Sequence, residues 1–252
     1  PNFLSATSNA VSYLENGVGA RSKAMANAQV AIVDDGYAGY WNPAGLGRIT
    51  KSELNAMSTK IWGVIDHKFY GFASPLLSNS GISLCYIEAS ISDIWETTSA
   101  GADTGNRFDY KGSTVLASLG TNLDFFGGIM RGQYVGITAK FIQESLHSNT
   151  AKGKELDIGW MYRIIDKGWV GIQVQNILPE KIIWDTNSKI EEEIPMVMTM
   201  GLGYKMFDNL NIAVDLRLKE KRKVVQHFGA EWQIINYDDF KCTLRGGFKE
   251  SK

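Results

Sequence analysis

Residues 210–218 read LNIAVDLRL. Successive side chains of an extended chain point to opposite faces, so Leu210, Ile212, Val214, Leu216 and Leu218 share one side, and Asn211, Ala213, Asp215 and Arg217 share the other. One face is uniformly apolar; the other is small or charged. The same two-residue period returns upstream. Met196, Met198, Met200, Leu202 and Tyr204 oppose Val197, Thr199, Gly201 and Gly203, and Leu156, Ile158, Trp160, Tyr162 and Ile164 oppose Glu155, Asp157, Gly159, Met161 and Arg163.

Further strands are expected over residues 53–63, 66–74, 81–90, 108–120, 132–147, 168–178, 224–236 and 240–248, about eleven in all. Many run roughly nine to thirteen residues, longer than the usual strand of a soluble sheet and close to the span that crosses a bilayer at a tilt. The composition of the 252-residue chain agrees with an all-β class, with 26 Gly, five Pro and 11% aromatic residues. No window approaches eighteen consecutive apolar residues, so a transmembrane helix is excluded while a membrane barrel stays open. The expected fold is an antiparallel transmembrane β-barrel.

The inward face of such a barrel carries Glu155, Asp157, Arg163, Asp215, Arg217 and Glu231, more charge than a sandwich core accepts, and a wet lumen accommodates it. Arg introduced at Ala213 is accordingly expected to be mild, and at Val214 or Leu216 costly. Trp62, Trp160, Trp169, Trp184, Trp232, Tyr70, Tyr204 and Tyr237 fall at or near strand ends or in strand bodies, as interfacial girdles require. Eleven strands is an odd count where bacterial single-chain barrels close with an even one, so strands beyond Lys252 are expected, fourteen in the complete chain.

Formal net charge is −1 with scattered basic residues, which leaves no electrostatic footprint for nucleic acid. The run Lys219 to Lys223 reads as a solvated hairpin end, and Cys85 and Cys242 as packing residues. His67, His147 and His227 are too dispersed for ligation, so no metal or cofactor is expected. No nucleophile elbow, zinc helix or phosphate-cradling loop is present, and the chain reads as no enzyme. It opens at Pro1 with no signal peptide, as a cytosolic or an already processed chain would.

Residues 1 to about 50 differ from the rest, being rich in Ala, Asn, Ser and Gly, with a helix-capable patch around Ala24 to Ala31. Asp34-Asp35-Gly36 is a turn and helix-start signal with the two carboxylates as caps, and Asn42-Pro43 ends the short helix so begun. Gly19-Ala20-Arg21, Asp34-Asp35 and Tyr40-Trp41-Asn42-Pro43-Ala44-Gly45-Leu46 together resemble the N-terminal signature of outer-membrane barrels related to FadL-type fatty-acid transporters, most closely the PorV-like branch associated with type IX secretion. Asp157-Ile158-Gly159, Ala213-Val214-Asp215-Leu216, Gly229-Ala230-Glu231 and Leu244-Arg245-Gly246-Gly247 continue the resemblance.

The resemblance implies that residues 1–50 form a hatch plugging the lumen of a barrel over 51–252, with Asp34, Asp35, Tyr40, Trp41, Asn42, Pro43, Ala44 and Gly45 as its motif. It also implies a place in the bacterial outer membrane, in contact with its lipid. The expected function is a non-enzymatic accessory of secretion or surface assembly that docks partner or cargo proteins. Two alternatives remain: a FadL-like conduit for hydrophobic small molecules gated by the hatch, with such a ligand or detergent in the lumen, and a soluble all-β binding module.

Overall fold

The computed structural model describes residues 10–77, 79–178, 180–186, 188–219, 224–237 and 240–251. The charge run at 219–223 lies outside the described residues except for Lys219. After the N-terminal segment come β1 (Glu53–Ile61), β2 (Ile65–Leu77), β3 (Ser80–Thr97), β4 (Asp103–Asn122), β5 (Gln133–Leu146), β6 (Asn149–Ile165) and β7 (Gly168–Gln175). A short hairpin of β8 (Lys181–Trp184) and β9 (Glu191–Glu193) precedes β10 (Val197–Phe207), β11 (Leu210–Lys219), β12 (Val225–Tyr237) and β13 (Phe240–Ser251).

Sequential strands pair antiparallel throughout, β7 pairs β10, and β8 hangs from β6 outside this path. The path therefore holds the expected strands, and the β8–β9 hairpin is an addition to them. Within the described residues β1 and β13 are each paired on one side only. No described helix is long and apolar enough to cross a membrane.

The outer face is a continuous apolar surface. Leu54, Phe72 and Leu84 stand opposite one another across β1, β2 and β3, and Leu202, Val214, Phe228 and Phe248 do so across β10 to β13. Leu54, Leu84, Leu202 and Phe248 are each more than half exposed. A soluble monomer seldom leaves so broad an apolar surface in water. Trp62, Tyr70, Tyr204, Trp232 and Tyr237 lie exposed on the outside. Trp184 is instead buried and Trp169 stacks under Arg48, 4.1 Å from the guanidinium, so these two belong to the interior and not to a girdle.

Inside the sheet lies the N-terminal segment, containing α1 (Ala20–Ala24) and α2 (Ala38–Trp41). The helix expected through Ala31 stops at Ala24, because Ala26 and Asn27 adopt left-handed backbone with φ of 51° and 71°. Asn42 is extended at φ −167° and ψ 108°, which ends α2 before Pro43 as the Asn-Pro step requires. This segment supplies much of the buried core, including Val18, Met25, Ala28, Val33, Ala44 and Leu46.

Candidate functional site

The segment sits where the barrel wall has no side chains. A Cβ placed on Gly136 of β5 would lie 2.3 Å from the Pro43 carbonyl carbon, and one on Gly159 of β6 would lie 2.1 Å from Asn42 Oδ1. Gly120 of β4 meets the Pro43 carbonyl, Gly171 of β7 meets Val30, Gly203 of β10 meets Ile32, and Gly247 of β13 meets Met25 and Ala26. Around the lumen, the N-terminal segment packs directly on strand backbone, with its own backbone at Gly120, Gly136, Gly171 and Gly247 and with side chains at Gly159 and Gly203.

Asn42 anchors this seat and is fully buried. Its Nδ2 donates to the carbonyls of Val30 at 2.8 Å, Trp160 at 3.2 Å and Ile172 at 3.4 Å, while its Oδ1 accepts from Ala44 N at 3.1 Å. Tyr40 donates its hydroxyl to the Leu14 carbonyl and Trp41 donates Nε1 to Val18 O at 3.0 Å, so the two aromatic residues tie α2 to the start of the segment. Gln173 of β7 donates to Tyr40 O at 2.9 Å, and Thr138 of β5 to Gly39 O at 3.0 Å. Pro43, Ala44 and Gly45 open a 3-10 helix over Pro43–Arg48, and the Pro43 carbonyl, the Pro43 ring and Ala44 N fill the spaces left by Gly120, Gly136 and Gly159.

At the barrel end from which the chain enters β1, Arg21 holds a charge network. Its guanidinium reaches Asp34 at 2.8 Å, Asp35 at 3.2 Å and Glu231 of β12 at 3.0 Å, and Glu231 also receives Arg245 of β13 at 2.6 Å. Burial opposes protonation of Arg21, but Asp34, Glu231 and Asp35 outweigh it and the net shift is upward. Asp35 is displaced upward by burial, against the pull of Arg21 and the Tyr37 N–H. Of the two expected caps, Asp35 accepts from Tyr37 N at 3.0 Å, whereas Asp34 pairs with Arg21 and Arg48.

The lumen-facing carboxylates divide between these tasks. Asp157 pairs with buried Lys140 at 2.6 Å, and Glu155 accepts from Leu178 N at 3.3 Å. Asp215 Oδ2 accepts from Gln29 N at 2.7 Å and Val30 N at 2.9 Å, so it grips the N-terminal segment from β11. Arg163 is exposed near the β6–β7 turn and joins none of these groups. Lys140, Thr138 and Gln173 escaped sequence reasoning, although the inward phase of their strands placed them in the lumen.

Above the N-terminal segment, toward the opposite end, a cavity of about 450 Å³ remains open. Val30, Tyr40, Trp41 and Val225 give it an apolar part; Gln173, Thr199, Asp215, Arg217, His227 and Lys249 give it a polar wall, joined by Glu15 and its ion-pair partner Lys219. His227 also contacts the Ala26 carbonyl through Nδ1 at 2.7 Å, and His67 is buried on β2, while His147 lies at the β5–β6 turn. Among the described residues no cluster of His, Cys, Asp and Glu is arranged to hold a metal.

No family model matches the sequence, and no curated protein does. Solved structures do match. The toluene transporter TodX of Pseudomonas putida superposes with a TM-score of 0.64 at 12% identity, over 94% of this chain and 84% of its own. The toluene transporter TbuX of Ralstonia pickettii gives 0.62 at 14% identity, over 94% and 86%. A FadL homologue from Pseudomonas aeruginosa gives 0.60 at 9% identity, over 92% and 79%. The fold is that of the FadL-like barrels.

These likenesses correct the branch drawn from the N-terminal signature. The structural neighbours are FadL-type channels, and nothing among them supports a PorV-like secretion accessory or the docking of partner and cargo proteins. The physical reason lies in Asn42 and Pro43. In this chain the two residues serve to seat the N-terminal segment on strand glycines, a packing role that carries no information about a secretion partner.

Proposed function

We propose that the chain is an outer-membrane channel of the FadL-like kind, which admits small molecules with an apolar body to a cavity above the N-terminal hatch and passes them when the hatch yields. The observation that carries this reading is the pairing of a seated hatch with an open cavity directly over it. Val30, Tyr40 and Trp41 belong to the hatch and line that cavity, so an occupant touches the element that has to move. The apolar outer face supports residence in the membrane, and residues 51–252 as the barrel with residues 1–50 as its hatch accord with the same reading. Transport by the solved neighbours named TodX and TbuX is consistent with it.

The test is permeation of small solutes into liposomes containing the purified chain, with the hatch free and with it covalently fixed to the wall. Permeation that stops when the hatch is fixed is the expected result. Permeation unchanged by fixing the hatch removes it from the path.

A further inference from the structure

At the end from which the chain enters β1, consecutive strands are joined by two-residue connections at 78–79, 166–167, 208–209 and 238–239. The connection from β4 to β5 is the exception. It holds the ten residues 123–132, which read LDFFGGIMRG. Phe125, Phe126 and Ile129 in it are 63%, 68% and 85% exposed, and the two phenyl rings lie with centroids 4.0 Å apart.

The loop is nonetheless built. Asp124–Phe126 and Gly128–Met130 each form a 3-10 turn, so that Phe126 N donates to Leu123 O, Gly127 N to Asp124 O, Met130 N to Gly127 O and Arg131 N to Gly128 O. Asp124 closes the loop by accepting from Gly132 N at 2.6 Å. The apolar side chains are left outside a framework that satisfies much of its own backbone, as a segment entering an apolar phase requires.

Its position follows from a relay on the outer wall. Gln133 shares the outward phase of β5 with Val135 and Ile137; its Nε2 donates to Ile129 O at 2.7 Å, and its Oε1 accepts from Trp160 Nε1 at 2.8 Å. Trp160 faces outward from β6 with its ring 6.0 Å from that of Tyr162, and such amphipathic rings settle at the level of lipid headgroups. The loop is therefore tied to the lipid-facing side of the wall at that level. Arg163 N donates to Gly132 O at 2.9 Å, so the foot of β6, where Ile164 and Ile165 are more than half exposed, adjoins the loop and carries the apolar surface on to it. Arg131 ends the apolar run, exposed and with no ion-pair partner among the described residues.

We infer that residues 124–131 are a membrane anchor: Phe125, Phe126 and Ile129 enter the boundary between headgroups and acyl chains of the leaflet at this end, and Arg131 extends to lipid phosphate. The occupant is lipid because the patch continues the lipid-facing wall and hangs from its aromatic residues. A wedge fastened to one sector, β4 to β6, fixes the depth of the barrel there. The inference needs residence in a membrane and stands whether or not the barrel conducts.

The experiment uses the full chain with Cys85→Ser and Cys242→Ser, reconstituted in liposomes of phosphatidylethanolamine and phosphatidylglycerol. A nitroxide is placed on one cysteine at a time, through Phe126→Cys, Ile129→Cys, Leu202→Cys as the lipid reference or Ser148→Cys in the β5–β6 turn as the water reference. Collision rates with oxygen and with a water-soluble nickel chelate give the depth of each label, and the heat-sensitive gel shift shows that each variant is folded. Labels at 126 and 129 are expected to favour oxygen as that at 202 does, at a depth of roughly 5–10 Å. Adding Gln133→Ala, which cuts the relay, is expected to abolish that preference at 129. Nickel access at 126 and 129 equal to that at 148, with 202 still in lipid, overturns the inference and leaves the barrel in its membrane. Shielding from both reagents, with spin–spin broadening that fades on dilution of the protein, assigns the surface to a second copy of the chain and overturns it equally. Nickel access at 202 as well denies residence in the membrane and takes the anchor with it.

Discussion

Arg21 grips Glu231 with two of its nitrogens, Nε at 3.0 Å from Oε2 and Nη2 at 3.2 Å from Oε1, and so joins a residue of α1 to a strand 210 positions later in the chain. Glu231 is 10% exposed and is shared with Arg245, so its removal leaves two guanidiniums facing each other without their common anion. Glu231→Gln is expected to loosen the hatch by about 3 kcal/mol, at the lower end of what breaking a buried pair costs. Faster amide hydrogen exchange at 20–27, with exchange in the strands unchanged, is the signature to look for.

Asn42→Ala deletes the donor shared by three carbonyls and the acceptor used by Ala44. The unsatisfied groups left behind cost about 1–3 kcal/mol each before relaxation. Limited proteolysis is expected to cut the segment around residue 42 in the variant and to spare it in the parent chain.

Gly246 and Gly247 are neighbours on β13 that face opposite ways. A Cβ on Gly246 meets nothing within 4 Å, whereas one on Gly247 would lie 2.4 Å from the carbonyl carbon of Met25. Gly246→Ala should therefore leave thermal stability of the detergent-solubilised protein unchanged, while Gly247→Ala lowers it and exposes the hatch to protease. Equal behaviour of the two would contradict the packing described for this strand.

A Cβ on Gly203 would stand 3.6 Å from that of Ile32, within the range that a disulfide spans. With Cys85 and Cys242 replaced by Ser, Ile32→Cys combined with Gly203→Cys is expected to join hatch to wall on oxidation. Solute entry into liposomes should fall at least tenfold in the oxidised form and return on reduction.

Leu216→Arg places a charge on the lipid-facing side of β11, at a cost on the order of 2–4 kcal/mol if it lies near the bilayer midplane. Ala213→Arg was expected from sequence to be mild. The structure reverses this, because Ala213 is 2% exposed and packs with Met25, Ala28, Ala31 and Ile32 of the hatch. Folding into bilayers followed by gel mobility should register the first change, and protease access to the hatch the second.

The contrast at Ala213 shows where sequence reading ended. Alternation in residues 210–218 told which side faced lipid, and the same period located the long strands, because burying one face of a strand imposes it locally. What fills the other face is a non-local matter. Nothing in the period of β5 or β6 says that Gly136 and Gly159 are empty to admit Pro43 and Asn42. The β8–β9 hairpin escaped notice because residues 181–184 and 191–193 are too short to display a period. The cavity was legible in part: Asp215 and Arg217 were placed in the lumen, but their grouping with Thr199, His227 and Lys249 depends on cross-strand register.

The glycine seat also bears on how the protein assembles. Its positions run from Gly81 on β3, where a Cβ would lie 2.3 Å from the Leu46 carbonyl oxygen, to Gly247 on β13, while the segment they receive precedes every described strand. No early folding intermediate contains the whole seat, and the contacts that complete it have among the greatest sequence separations in the molecule. Such contacts are reached late, since the chain between them must be ordered before they return any stability. Docking of the N-terminal segment is thus expected to be the closing event of folding, after a stage in which its glycine seat stands empty.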